Sequence, residues 1–255
     1  MIVICAHFIR SFIQWIPAFA GMTEKDINLS LYRHPCEGRD PLYITVASAA
    51  SNHLRLGLHL HYNPLMTHDE KFLVYEGMLR EWQSRMNLVA PSTLDHIRER
   101  HISDSLQILP FLPADARIVD LGSGAGFPAV VLAIMDRDVV AIESITKKCN
   151  FLRAVKDALK LDNLTVINDR IESVLSRIMD NGQRTTVFTA RAFASLEKIL
   201  EMTWCVRRAN YVLLKGERVV DEITAAQKYF KFEYKLIPST TGPGFVLLVK
   251  NVRRI

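Results

Sequence analysis

The chain predicts an α/β fold: a doubly wound, mostly parallel sheet, preceded by helices and closed by an antiparallel C-terminal hairpin. Three observations carry this. Short β-branched runs alternate with amphipathic stretches through five units from residue 117 onward. A glycine-rich turn, "VDLGSGAGFP" (119–128), joins the first run to the first stretch. Two further apolar runs meet through Thr240-Thr241-Gly242-Pro243-Gly244, a hairpin turn signal.

Residues 1–65 read as an extension outside the catalytic fold, with a small accessory domain as the other reading. Pro, Gly, His and Ser are scattered there without sustained periodicity. "WIPAFAGMT" and "HPCEGRDP" resemble peptides translated from repetitive palindromic elements of some bacterial genomes. The apolar start contains Ala18-Phe19-Ala20, which is similar to a signal-peptidase site. No basic region precedes it, and His7, Arg10 and Gln14 interrupt it. The expectation is therefore a cytoplasmic protein with no membrane attachment. Met66 is followed at once by a helical pattern and reads as a start of translation.

From Thr67, the residues Phe72, Leu73, Tyr75, Leu79, Trp82 and Met86 recur at three- and four-residue steps and predict an amphipathic helix. Pro91-Ser92-Thr93 breaks it. Ser92 or Thr93 would cap a second helix reaching about Leu109, with Ile97, Ile102, Leu106 and Leu109 inward. Pro110 and Pro113 end that helix. "RIVDL" (117–121) is the first strand, and "PAVVLAIM" (128–135) the helix after the glycine turn. "DVVAIE" (138–143) and "TKKCNFLRAVKDALKL" (146–161) form the second strand and helix. "LTVIN" (164–168) with "RIESVLSRIM" (170–179), and "TTVFTA" (185–190) with "SLEKILEMTWCVR" (195–207), form the third and fourth pairs. "YVLLK" (211–215) is the fifth strand, followed by a helix over about 219–229. "FEYKLIPS" and "GFVLLVKN" supply the hairpin.

The bulk numbers fit one such domain plus an extension. Of 255 residues, 49% are apolar and 23% charged, which excludes a disordered chain. The net charge of +5 suits an anionic partner such as nucleic acid without specifying one. The four cysteines, Cys5, Cys36, Cys149 and Cys205, form no C-x-x-C pair and have no His neighbours at zinc spacing. They read as reduced thiols, with Cys149 and Cys205 as small apolar residues in helices.

In open α/β sheets, ligands bind beyond the carboxyl ends of the strands. That rule gathers Asp120–Phe127, Glu143, Asp169–Glu172, Arg191 and Lys215 into one site. The loop spacing is G-x-G-x-G with Asp120 two residues before Gly122, unlike the dinucleotide G-x-G-x-x-G. Glu143 ends the second strand, where a carboxylate accepts both hydroxyls of a ribose. A diphosphate needs a free helix N-terminus, and Phe127 and Pro128 crowd it. S-adenosylmethionine has ribose and adenine but no phosphate. D-x-G-x-G-x-G, with an acid after the next strand, is the pattern of class I methyltransferases, and Asp120, Gly122, Gly124 and Glu143 are its cofactor candidates. A dinucleotide enzyme, and a turn that only packs helix on strand, are the other readings.

Methylation of an exocyclic amine usually employs an Asn/Asp-Pro-Pro-aromatic loop after the fourth strand. Here that position holds Ala190-Arg191-Ala192-Phe193-Ala194-Ser195. Pyrimidine C5 chemistry needs a cysteine nucleophile, and no cysteine ends a strand. A ring nitrogen with its own lone pair needs only orientation.

"MNLVA" (86–90), "RERHISDSL" (98–106), "VDLGSGAGFP" (119–128), "RAFASL" (191–196) and "LLKG" (213–216) occur in the order and spacing of the RsmG, or GidB, family. The chain resembles it from about Met66 to near the C-terminus. The resemblance implies a Rossmann-like class I methyltransferase that moves a methyl group from S-adenosylmethionine to guanine N7 of 16S ribosomal RNA, free or in a small-subunit particle. It also implies that Gly122 and Phe127 contact the cofactor and that Ile171 and Glu172 flank the adenine. Arg191 is the candidate catalytic residue, orienting the cofactor carboxylate or a target phosphate; an ion pair with Asp120 or Glu172 is its structural alternative.

Arg100, His101 and Asp104 lie one turn apart, with Arg100 and Asp104 able to pair at i,i+4. They line either the substrate side or a solvated face. Lys215 would meet RNA or cap the sheet. Lys147, Lys148, Arg153, Lys156 and Lys160 read as a solvated face before an RNA contact. Where relatives often carry charges in the C-terminal turn, this chain has Gly242-Pro243-Gly244, which weakens the case for RNA contact there. The chain is expected to be a monomer. A methyltransferase for small molecules or proteins, and a non-catalytic RNA-binding protein of the same fold, are the competing functions.

Overall fold

The computed structural model describes residues 27–32, 42–48, 58–60, 66–178, 185–206 and 208–255. The chain divides into two compact units, Met1–Leu65 and Met66–Ile255. The readings that fall on Cys5, Cys36 and Ala18-Phe19-Ala20 lie outside the described residues.

In the first unit, strands β1 (Ile27–Tyr32), β2 (Leu42–Ser48) and β3 (Leu58–Leu60) form an antiparallel sheet in sequential order. No strand was expected there. "INLSLY" and "LYITVAS" nonetheless alternate apolar with polar or small residues, the period of a strand.

The second unit opens with helix α1 (His68–Gln83). Thr67 and Glu70 form a reciprocal capping box, with Thr67 N–H donating to Glu70 Oε2 at 2.8 Å. Phe72, Tyr75 and Leu79 are buried, as the pattern requires, but Leu73 points to solvent. Leu73 is one position off the 72–75–79 stripe, and helical geometry turns it away.

The expected helix over 93–109 is broken. A 3₁₀ turn (Pro91–His96), a π-helical turn (Arg98–Ile102), a short α-helix α2 (Ser103–Leu106) and a second 3₁₀ turn (Leu109–Phe111) follow one another. Thr93 caps nothing: its hydroxyl donates to Ala90 O and meets His101 Nε2 at 2.8 Å. Ile97 and Ile102 are buried as predicted.

The sheet strands are β4 (Arg117–Leu121), β5 (Val139–Glu143), β6 (Leu164–Asn168), β7 (Thr186–Arg191), β8 (Asn210–Lys215), β9 (Phe230–Pro238) and β10 (Phe245–Arg254). Their order is β6-β5-β4-β7-β8-β10-β9, parallel through β8 and antiparallel thereafter. The hairpin folds back so that β10 lies against β8 and β9 forms the edge. Helices α3 (Ala129–Ile134), α4 (Thr146–Leu159), α5 (Ile171–Ile178), α6 (Leu196–Thr203) and α7 (Val219–Ala226) supply the crossovers.

Residue alternation explains the two layers. Ile118, Val139 and Ala141 face the core shared with α1, α3 and α4, where Tyr75, Phe151 and Val131 pack. Val119, Leu121, Val140 and Ile142 face the other core, against Ile171, Ile199 and Ile223. β5 is buried along its whole length, which is why it reads as a nearly unbroken apolar run. The connection from β6 returns to the far side of β4, so the order reverses between β4 and β7. A crevice opens at such a reversal, beyond the strand ends. Asp120 and Thr189 are direct partners across it.

Candidate active site

The glycine turn is fixed from three directions. Gly122 and Ser123 N–H groups both donate to Ile142 O, at 2.9 and 3.0 Å. The buried Tyr75 hydroxyl donates to Ala125 O at 2.6 Å, tying α1 to the turn. Gly124 N–H donates to Glu143 Oε2 at 2.9 Å, and Ile145 N–H to Glu143 Oε1 at 2.8 Å. Gly122 has φ +69°, and a Cβ there would stand 2.2 Å from the Phe193 ring, so only glycine fits.

Two cavities open on this end of the sheet. The smaller, of about 300 Å³, is lined by Gly122, Gly124, Glu143, Ile171, Glu172 and Phe193, among others. The larger, of about 410 Å³, is bordered by Arg100, Asp104, Arg191 and the turn 241–244. Ala192 and Phe193 belong to both and form their shared wall. Phe193 leads the residues that the sequence reading did not single out. Lys148, expected on a solvated face, is half-buried and lines the smaller cavity.

The smaller cavity fits S-adenosylmethionine. A Cβ on Gly124 would project into it, meeting nothing nearer than Gly122 O at 3.8 Å, so the missing side chain leaves a cradle. Glu143 supplies a carboxylate for ribose hydroxyls at one end. Ile171 and Met202 supply apolar wall for a base. Glu143, Asp169 and Glu172 outnumber Lys148 and Arg170 around it, which disfavours a diphosphate and suits a cation.

Two expected cofactor contacts lie elsewhere. Phe127 is buried beneath the turn, 5.4 Å from the Tyr75 ring and 4.9 Å from the His101 ring, and borders neither cavity. Its large apolar ring completes the core under the loop. Asp120 is also beneath it, with Oδ1 accepting from Thr189 Oγ1 at 3.0 Å and Oδ2 without a protein partner among the described residues. Burial pushes its carboxyl up to about 6, against the hydrogen bond from Thr189 that pulls it down.

Arg191 ends β7 and is held by a fork of acceptors. Its Nε donates to Asp104 Oδ2 at 2.9 Å, and its Nη2 reaches Arg100 O at 3.1 Å and His101 Nδ1 at 2.6 Å. The ion-pair partner is thus Asp104, where Asp120 or Glu172 was the expected alternative. The predicted Arg100–Asp104 pair gives way to this arrangement. In the π-helical turn Ser103 N–H bonds back to Arg98 O, which rotates Arg100 away from its i,i+4 register. Arg100 lines the larger cavity instead.

His101 was expected at the substrate side or on a solvated face and is 6% exposed. Because a guanidinium only donates, Nδ1 is the acceptor and Nε2–H donates to Thr93 Oγ1. Burial, then the charges of Arg191 and Arg100, push the imidazole down to about 4. Lys215 also turns inward: Nζ donates to Ala194 O at 2.6 Å and to Glu222 Oε2 at 2.7 Å, leaving its side chain 7% exposed. It closes the end of the sheet rather than reaching outward. Cys149 is buried, with Sγ against Glu143 O at 3.1 Å, whereas Cys205 is exposed because α6 ends at Thr203.

The two shifted groups predict a pH effect. The folded chain keeps His101 neutral down to about pH 4, while the unfolded imidazole protonates near 6.5, so this group lowers stability as pH falls through that window. Asp120 acts in the opposite sense: its folded carboxyl holds a proton up to about 6 and the unfolded one to 3.8, so it lowers stability as pH rises. In ligand-free Asp120→Asn the His101 contribution stands unopposed. Denaturant unfolding is expected to show a steeper loss of stability than wild type from about pH 6 to about pH 4. Parallel profiles would exclude this opposition.

A model of the GidB family, rRNA small subunit methyltransferase G, matches residues 68–242. The chain is 42% identical over 184 residues to the ribosomal RNA small subunit methyltransferase G of Dinoroseobacter shibae, covering 69% of this chain and 91% of that one. It is 40% identical to the same-named protein of Paramagnetospirillum magneticum, covering 72% and 89%. For that of Orientia tsutsugamushi the values are 38% identity, 75% and 94%.

Proposed function

The chain belongs to the rRNA small subunit methyltransferase G family, and on that premise we propose that it transfers a methyl group from S-adenosylmethionine to N7 of a guanine in 16S ribosomal RNA. The observation that carries this reading is the pair of adjoining cavities. One offers a ribose-accepting carboxylate and apolar walls, and the other is bordered by Arg100 and Arg191. They share the Ala192–Phe193 wall, so a base in the larger cavity adjoins the smaller one.

When bound, S-adenosylmethionine supplies an electrophilic methyl group on a sulfonium. Gly124 would leave room for it, Glu143 would accept hydrogen bonds from its ribose hydroxyls, and Ile171 with Met202 would cover its base. Guanine N7 carries an in-plane lone pair and no proton, so the chain needs no general base there. This agrees with the site: Arg191, Asp104 and His101 are engaged with one another. Their contribution is orientation and exclusion of water. Arg100 faces the larger cavity as the cation for an RNA phosphate. We assign catalysis to residues 66–255, with no part for residues 1–65. The partner is 16S RNA or a small-subunit particle, met by a cytoplasmic monomer. Among the described residues no helix is long and apolar enough to cross a membrane.

The test is transfer of tritiated methyl to small-subunit RNA or particles lacking the modification, followed by mapping of the modified base. Label at guanine N7 is expected. Absence of label with folded protein on both substrates, or label on another atom, would overturn the proposal.

A further inference from the structure

Gln107 follows α2, and its carboxamide reaches the C-terminal turn. Oε1 accepts from Thr240 N at 3.1 Å and from Thr240 Oγ1 at 3.4 Å. Nε2 lies 2.8 Å from Asp104 Oδ1, 3.2 Å from Ser239 Oγ and 3.3 Å from Thr241 Oγ1. Thr241 Oγ1 in turn donates to Asp104 Oδ1 at 2.8 Å. One neutral side chain therefore meets three consecutive residues of the turn, with Oε1 accepting from Thr240 and the two N–H groups of Nε2 shared among Asp104 Oδ1, Ser239 Oγ and Thr241 Oγ1. It also bonds the carboxylate that holds Arg191.

The same turn is a wall of the larger cavity. Gly242 and Gly244 border it, and Arg100 Nη1 is 3.3 Å from where a Cβ on Gly242 would stand. At its far end the turn is pinned to the sheet: Phe245 pairs with Lys215, and a Cβ on Gly244 would lie 2.6 Å from Lys215 O. Gln107 and Asp104 tie its near end to the helical segment that precedes the sheet.

We propose that Gln107 is a positioning residue for the RNA substrate, holding the 239–244 turn at the separation from Arg191 that admits the target nucleotide. The inference rests on the methyltransferase reading above. The cofactor cavity shares none of these turn residues, so the effect belongs to RNA alone. Only a carboxamide serves both ends of the latch. A glutamate would keep the acceptor, lose the donor and set a second negative charge against Asp104.

The experiment compares Gln107→Ala and Gln107→Glu with wild type on unmodified small-subunit RNA. Calorimetry with S-adenosylmethionine and hydrogen exchange at the Thr240 amide accompany it. In Gln107→Ala the KM for RNA is expected to rise about ten-fold, the loss of one or two net hydrogen bonds, with kcat changing less than about three-fold. Gln107→Glu should raise KM further. Cofactor affinity should hold, and the Thr240 amide should exchange faster in both. An unchanged KM, or a parallel fall in cofactor affinity and melting temperature, overturns the proposal. If wild type methylates no RNA, the methyltransferase reading fails. RNA affinity by mobility shift and Thr240 exchange then still decide on the latch, which unchanged values would overturn.

Discussion

Arg191→Ala is expected to lower kcat/KM for RNA methylation by about 100-fold or more, the scale for truncating one partner of a desolvated, hydrogen-bonded charge pair. The guanidinium engages Asp104 Oδ2, the Arg100 carbonyl and the His101 ring together, and alanine removes all three contacts, leaving Asp104 only its Oδ1 partners Gln107 and Thr241. Stability should fall by about 3 kcal/mol, because Asp104 loses its ion-pair partner in a site where both side chains are only 20% exposed. Arg191→Lys should recover little, since one ammonium cannot reproduce a planar fork aimed at three acceptors. The double variant Arg191→Ala/Asp104→Asn removes the stranded charge. It should regain part of the stability and none of the activity, read by urea unfolding and methyl transfer in parallel. Wild-type turnover by Arg191→Ala would remove Arg191 from the site.

Glu143→Ala should weaken S-adenosylmethionine binding by about 100-fold, since hydrogen bonds to a charged acceptor contribute about 1.5–3 kcal/mol each. Part of the loss comes from the protein itself, because the carboxylate also holds Gly124 N–H and Ile145 N–H. Glu143→Gln keeps one acceptor oxygen and should fall between. Calorimetry reads the affinities, and a mobility shift with RNA should be unchanged, since Glu143 borders only the smaller of the two cavities above. Equal cofactor affinity in Glu143→Ala would show that the ribose lies elsewhere.

The parallel sheet was legible because its strands are short, apolar and separated by helical periods. The strand-end rule then brought Gly122, Gly124, Glu143, Ile171 and Glu172 to one cavity. What could not be read lies in long-range polar pairing. Nothing near Arg191 in sequence points to Asp104, and nothing near Lys215 shows that its ammonium turns inward to Ala194 O and Glu222. Both look like free cations until their acceptors are known. The break in the 93–109 helix has the same origin. Local propensity favours one helix, but the π-helical turn sets His101 between Thr93, Phe127 and Arg191, and tertiary contacts prevail. Phe127 and Asp120 belong to the glycine turn, as read, but lie under it and border neither of the two cavities. A sequence motif does not say which of its side chains point under the backbone.

The turn held by Gln107 also bears on the order in which the protein becomes competent during its own synthesis. The smaller cavity draws its lining from residues 122–202, but the larger one waits for residues 239–245. On a translating ribosome, the lining of the smaller cavity therefore emerges before residues 239–245 of the larger one. If the larger cavity takes RNA as proposed, a nascent chain still missing residues 239–245 has the smaller cavity's lining and lacks one wall of the larger, although ribosomal RNA surrounds it.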